Sequence, residues 1–173
     1  VSITSGPVYK ALDLDKYGVE YVYPDPTWAT VFKDGSALVL HRDVDETCES
    51  IAEISKKDAK TYKEFYQRFE HLRHLYVASW YSPPLPPSKV FSIFEGTTDG
   101  QLLLQMWNAG CQDICDSFFE SEKVKVFILI IAMQGGNLLD LYGVGAYIPI
   151  LFSGMHTKPW GVCVGGSRML AEG

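Results

Sequence analysis

Positive charge is scarce in this sequence. Its 15 Lys and Arg are outnumbered by 21 Asp and Glu, for a net charge of −6. A nucleic-acid surface needs a basic stripe, so the balance argues against that partner. It also disfavours docking on anionic lipid by charge alone. Cysteine is equally thin. Cys48, Cys111, Cys115 and Cys163 are not spaced like the disulfide framework of a secreted protein, and 173 residues is long for one. Reduced thiols in a cytoplasmic protein are the expectation. Long apolar runs are missing too. The most apolar stretch, Val124 to Met133, is ten residues long, and Gln134, Gly135, Gly136, Asn137 and Asp140 interrupt the segment after it. A membrane span needs about 20 apolar residues, so no transmembrane segment is expected. No basic segment followed by an apolar run opens the chain at Val1, and no signal peptide is expected.

Several signatures of chemistry are also lacking. Gly143-Val144-Gly145 opens like a dinucleotide fingerprint, but Ile148 takes the place of the last glycine and no clear strand precedes it. No Gly-x-Ser-x-Gly elbow exists for a nucleophilic serine. His71 and His74, with Cys111 and Cys115, could suggest zinc. On helical spacing the histidines face water while Cys111 faces the core, so the pairs do not converge and no metal is expected. No catalytic acid or base can be singled out. What remains is softer. Gly165-Gly166 stands at a strand-to-helix turn, where backbone amides can face an anion or where a tight turn simply needs small residues. Trp107, Tyr142, Tyr147, Phe152 and Trp160 give the last third an aromatic surplus that is either core or the lining of an apolar pocket. His156 is either a satisfied, partly buried histidine or a member of that lining. The candidate substrate-binding set is Trp107, Tyr147, Phe152, His156 and Trp160.

With 47% hydrophobic and 21% charged residues, the composition is that of a globular domain, and a single domain over 1–173 is expected. Val19 to Tyr23 is β-rich and is stopped by Pro24 and Pro26. Thr27 to Phe32 and Ser36 to Arg42 flank Lys33-Asp34-Gly35, a hairpin signal because glycine accepts the positive φ of a tight turn. Asp43 or Asp45 can cap a helix to about Ile54. Ser55, three residues before Asp58, caps the next, expected from Lys56 to about Trp80. Its apolar residues Tyr62, Phe65, Phe69, Leu72 and Tyr76 recur at helical steps. The prolines between Ser82 and Pro87 make a stiff connector. A helix over Asp99 to Phe118, with Leu103, Trp107, Gly110, Ile114 and Phe118 as its buried stripe, should come next. Ser121 caps a deeply buried helix from Glu122 to Gln134. Tyr142 to Phe152 reads as helix, Trp160 to Val164 as strand, and a last helix starts near Ser167. The fold class is α+β: a small antiparallel sheet with several helices packed mainly on one side.

Five stretches taken together resemble one family. They are Tyr17-Gly18-Val19-Glu20; Asp25-Pro26-Thr27 through Phe32-Lys33-Asp34-Gly35 to His41-Arg42-Asp43; Asp58 with Tyr62-Lys63-Glu64-Phe65; Phe118-Phe119-Glu120-Ser121-Glu122-Lys123-Val124-Lys125; and Trp160-Gly161-Val162-Cys163-Val164-Gly165-Gly166-Ser167-Arg168-Met169-Leu170. In order and spacing they look like the middle of a phytoene-dehydrogenase-like FAD-dependent oxidoreductase, a relative of carotenoid desaturases and retinol saturases. The resemblance covers about Tyr17 to Glu172. It implies hydride transfer between an apolar, isoprenoid- or lipid-like substrate and FAD, with this chain as the inserted substrate domain and Gly165-Gly166 where the chain returns toward the flavin. The Gly-rich opening and the closing flavin segment of that family are missing, and the chain stops at Gly173 inside an expected helix. A fragment that does not bind FAD tightly by itself is therefore expected. Its expected partners are an apolar small molecule, the parent's flavin-binding domain, and a second copy of the chain meeting it through Trp160, Val162, Met169 and Leu170, with Tyr147 and Phe152 as further candidates. The alternative is a stand-alone ligand-binding or interaction domain without catalysis.

Overall fold

The computed structural model describes residues 7–72, 81–134, 136, 138–157 and 160–172. Among these are nine α-helices and four short strands. The α+β class expected from the sequence is what forms, but the strands make two antiparallel ribbons of two strands each rather than one sheet.

The first ribbon is built by the chain ends. Helix α1 (Pro7–Ala11) and a 3-10 turn (Leu14–Tyr17) lead into β1 (Tyr21–Val22). β1 pairs with β4 (Val162–Cys163), Tyr21 opposite Cys163 and Val22 opposite Val162. Leu14, Val19 and Cys163 are buried there, with Tyr9, Tyr21, Met169 and Leu170 packed around them.

The second ribbon is the expected hairpin. β2 (Trp28–Val31) runs against β3 (Ala37–Leu40), with Trp28 opposite Leu40 and Thr30 opposite Leu38. Gly35 has φ of 85° in the connection, and the Phe32 amide donates to the Ser36 carbonyl across it. Leu38 and Leu40 turn inward and are fully buried. On the far edge of β3, helix α2 (Val44–Ala52) supplies the missing partners. The Val39 amide donates to Ser50 Oγ at 3.0 Å and the His41 amide to Thr47 Oγ1 at 2.9 Å. Of the two candidate caps for α2, the geometry selects Asp43, whose Oδ1 accepts the amides of Asp45 and Glu46.

Helix α3 (Lys56–Phe69) starts where expected, with Ser55 Oγ accepting the Asp58 amide at 3.1 Å. The α-helix gives way to a 3-10 turn at Glu70–Leu72. The expected continuation through Tyr76 to Trp80 lies outside the described residues. Beyond the prolines stands a helix the periodicity does not suggest, α4 (Pro87–Glu95), with Pro87 in its first turn, where a missing amide hydrogen is harmless. It leans on α5 (Thr98–Trp107) so closely that a Cβ on Gly100 would lie 2.0 Å from the Phe94 carbonyl oxygen.

The single helix expected over 99–118 is broken. α5 ends at Trp107 and α6 (Cys111–Phe118) begins anew behind Gly110, whose amide donates to Asp113 Oδ2 at 2.9 Å. The cause is another segment crossing the gap. The Gly145 amide donates to the Ala109 carbonyl at 2.9 Å, and a Cβ on Gly145 would meet the Met106 carbonyl oxygen at 2.5 Å. Gly110 is buried as expected, but as a cap between two helices rather than a position within one. Trp107, expected in the buried stripe, is 44% exposed, whereas Leu103 and Ile114 are buried.

Helix α7 (Glu122–Met133) is the central core element, with Val124, Phe127, Ile128, Ile131 and Ala132 fully buried. Ser121 makes no side-chain cap to it. The turn before it is held instead by Asp58, itself fully buried, whose two carboxylate oxygens accept the amides of Glu120 and Ser121 at 2.9 Å each. Lys123 ties the helix to the hairpin tip through Asp34 and Ser36. Helix α8 (Tyr147–Thr157) only overlaps the helix expected over 142–152: it starts at Tyr147, with turns before it, and runs on to Thr157; Pro149 falls in its first turn. Helix α9 (Met169–Glu172) comes after β4.

Candidate functional site

The structure brings Phe152 and His156, two of the five candidate substrate residues, to one aromatic corner, and sets Trp160 in a separate aromatic pair. Phe152 and His156 sit one turn apart on α8. Phe152 is 2% exposed and meets the Tyr62 ring edge-on, centroids 4.8 Å apart. His156 is half-buried between Tyr62 and Tyr66 of α3, with ring centroids at 5.8 and 5.3 Å. Trp160 lies just past the helix and stacks edge-on against Trp28 of β2 at 6.2 Å. Trp28 pairs with Leu40, two residues before Arg42. The corner thus joins the end of the hairpin to α3 and α8.

His156 has a defined tautomer. Its Nδ1 lies 3.1 Å from the Arg42 carbonyl oxygen, which can only accept, so Nδ1 carries the hydrogen. Nε2 is then an acceptor, and the Tyr62 hydroxyl donates to it at 2.8 Å. Loss of solvation lowers the histidine's pKa, opposed by its bonds to the backbone at Arg42 and His41. Burial holds the Tyr62 hydroxyl well above its ordinary pKa, so it stays protonated. The result is a neutral, directional chain from Tyr62 through His156 to the β3–α2 junction. Both ends of the imidazole are occupied. The corner is a packed aromatic joint with one polar seam, Tyr62 and Phe152 being almost wholly shielded and Tyr66 and His156 partly exposed at its edge.

The other candidates lie elsewhere. Tyr147 is half-buried at the start of α8 and packs on the central core. Trp107 projects at the α5–α6 break. Gly165 and Gly166 form the turn after β4, with φ of 79° and 85°. The Gly166 amide already donates to the Cys163 carbonyl at 3.0 Å, and α9 beyond has four residues.

The cysteines are free thiols. Cys111 is fully buried, and burial pushes its pKa to about 11. His71 is exposed and His74 lies outside the described residues. Among the described residues no group of three His, Cys, Asp or Glu could hold a metal, and no helix is long and apolar enough to cross a membrane. Two open clefts lie apart from the corner. One, of about 600 Å³, is lined by Tyr9, Asp15, Tyr21 and Tyr23 of the terminal ribbon. The other, of about 740 Å³, runs along α2 past Glu46, Glu49 and Glu53.

Residue type and spacing do not single out Tyr62, Tyr66, Trp28 or the Arg42 carbonyl as site groups. Tyr62 reads as a member of the apolar stripe of its helix, which it is. Its hydroxyl is the available signal, because a buried phenol needs an acceptor.

No family model matches the chain, and no solved structure matches it. Among curated proteins it is similar to a subunit of limonene dehydrogenase from Castellaniella defragrans, 29% identical over 168 residues. The alignment takes in 96% of this chain and 30% of the relative, so the chain spans under a third of the length of the protein it matches. The chain is thereby a distant homologue of part of a dehydrogenase subunit.

Proposed function

We propose that the chain is the substrate-side domain of an FAD-dependent oxidoreductase that moves a hydride between the flavin and an apolar, isoprenoid-like molecule. The observation that carries this reading is the similarity to a limonene dehydrogenase subunit along nearly the whole chain. It agrees with the resemblance to phytoene-dehydrogenase-like enzymes, whose substrates are also hydrocarbons. The partly exposed aromatic groups Trp28, Tyr66, His156 and Trp160 would be the edge against which such a molecule is desolvated. The redox chemistry would be the cofactor's. The flavin would be carried mainly by a further segment or a partner, with Gly165-Gly166 turned toward it.

Two titrations test the proposal. Limonene added to the protein should perturb its tryptophan emission saturably, and Trp160→Ala should weaken the response. FAD should bind no more tightly than the micromolar range. No saturable response to limonene or to a longer isoprenoid would sink the substrate assignment. Stoichiometric FAD quenching would overturn the placement of the flavin elsewhere.

A further inference from the structure

The terminal ribbon frames a cleft that the proposed function does not use. It holds about 600 Å³, an ordinary volume for a small-molecule site. Three tyrosines wall it: Tyr9 from α1, Tyr21 from β1, and Tyr23 just beyond β1. The Tyr9 and Tyr21 rings stand nearly perpendicular, 76° apart with centroids at 5.9 Å. Tyr21 and Tyr23 close on the same point of the facing segment. A Cβ on Gly161 would lie 3.0 Å from Tyr21 Cδ1 and 2.9 Å from Tyr23 Cε1. Tyr9 is held in place by its hydroxyl, which reaches the Asp15 carboxylate and, at 2.8 Å, the Val19 carbonyl oxygen. At Gly18 the space is open: a Cβ there would meet nothing within 4 Å.

Charge decides what such a box can hold. Asp15 and Glu20 line it, against the single cation of Lys10. The phenols add no charge. The bond to Asp15 pushes the Tyr9 pKa up to about 12, and burial raises that of Tyr21, so both stay neutral at ordinary pH. A ring face attracts a cation lying within about 6 Å of its centroid, and the two carboxylates act in the same sense. An anion is repelled by both. A metal ion needs several convergent oxygens, and among the described residues no three His, Cys, Asp or Glu gather to supply them. A primary ammonium also asks for oxygen acceptors, and one Asp15 oxygen is taken by Tyr9. A methylated ammonium asks for none, because its charge is spread over an apolar surface that fits against rings. We propose that the cleft between Tyr9, Tyr21 and Tyr23 is a binding site for a small organic cation of the methylated-ammonium class, with the rings as its walls and Asp15 and Glu20 as its counter-charges. The site lies outside the flavin reading and does not depend on it.

Choline serves as the probe. Its neutral control is the alcohol of the same shape, with a tert-butyl group in place of the trimethylammonium. Followed by NMR at the tyrosine ring protons, choline should bind saturably in the millimolar range and the neutral alcohol should not. Glu20→Gln should weaken choline binding about threefold, and Lys10→Gln should strengthen it by a similar factor, exposed charges having effects of that size. Tyr23→Leu should weaken binding about fivefold. Tyr23→Phe should stay within about twofold of the parent, since the ring and not the hydroxyl makes the contact. Glu20, Lys10 and Tyr23 are all exposed, so circular dichroism of these variants should match the parent. Should a Tyr23 variant misfold, the two opposed charge changes decide. No saturable binding, equal binding of the neutral alcohol, charge effects that are absent or reversed, or a Tyr23→Phe as weak as Tyr23→Leu would each overturn the proposal. Neither flavin nor limonene is present in this titration, so its failure leaves the limonene and FAD titrations to stand or fall separately.

Discussion

The central core and the terminal ribbon hold the same chain together by very different means. The core draws on the β2–β3 hairpin and on helices from α2 to α8, and its largest members, Tyr62, Phe69 and Phe127, are almost wholly shielded. The terminal ribbon closes residues near one end of the chain against residues near the other, around only Leu14, Val19 and Cys163. Two strands of two residues are marginal without packing on both faces. The inner face of this ribbon, Tyr21 and Cys163, is packed. Its outer face, Val22 and Val162, is about half exposed. The core should therefore set the global stability and the ribbon should open on its own.

The sharpest way to break this comparison is inside the core. Phe127→Ala removes a fully buried ring from the middle of α7 and should cost about 3–5 kcal/mol in denaturant unfolding. A loss under about 1 kcal/mol would mean that the core is not the dominant unit.

The next effect is polar. Asp58→Ala leaves the amides of Glu120 and Ser121 without their acceptor and should cost about 2–3 kcal/mol, read from the same unfolding curves. Asp58→Asn should recover part of that loss, because its one carbonyl oxygen can serve only one of the two amides.

A smaller effect depends on pH. The pKa of His156 is lowered in the fold, so the unfolded chain takes up its proton first as pH falls. The stability this histidine confers is complete above its ordinary value of 6.5 and declines as the pH drops below it. His156→Gln should flatten that part of the stability–pH curve. Tyr62→Phe should cost about 1 kcal/mol at neutral pH by removing the donor to Nε2. An unchanged slope in His156→Gln would show that burial does not depress the pKa of His156.

The smallest effect sharpens the contrast between the two regions. Val124→Ala and Val19→Ala delete the same two methyl groups from nearly equal burial, 0% and 2% exposed. Val124→Ala should shift the unfolding midpoint. Val19→Ala should leave it nearly unmoved while speeding amide exchange at Tyr21, Val22, Val162 and Cys163. Equal shifts in the midpoint would show that the two regions unfold as one.

How much of the fold is legible in the sequence depends on the range of the interactions responsible. The Asp34-Gly35 hairpin, the Ser55 cap and the apolar run of α7 are local patterns, and each forms where it is expected. The break between Trp107 and Cys111 is not local. It is forced by Gly145, more than thirty residues away, and no period within 99–118 announces it. Helix α4 does carry a local sign, Pro87 in the first turn and Gly96 behind the last, which the surrounding prolines obscure. The candidate corner divides the same way. Phe152, His156 and Trp160 stand out by residue type. The groups that hydrogen-bond His156, the Tyr62 hydroxyl and the Arg42 carbonyl, come from 94 and 114 residues away. Fold-class likeness alone would not have connected them.

The way α2 closes over β3 has a consequence for self-association. The hydroxyls of Thr47 and Ser50 occupy the outward amides of His41 and Val39, so a foreign strand cannot register there. Within the hairpin, only the Trp28–Val31 edge is left to template another strand, and Val31 on it is 74% exposed. Two copies meeting edge to edge along β2 would exhaust each other's free edge and stop at a four-stranded pair. A sheet with one open side can dimerise, but it has no second side from which to polymerise.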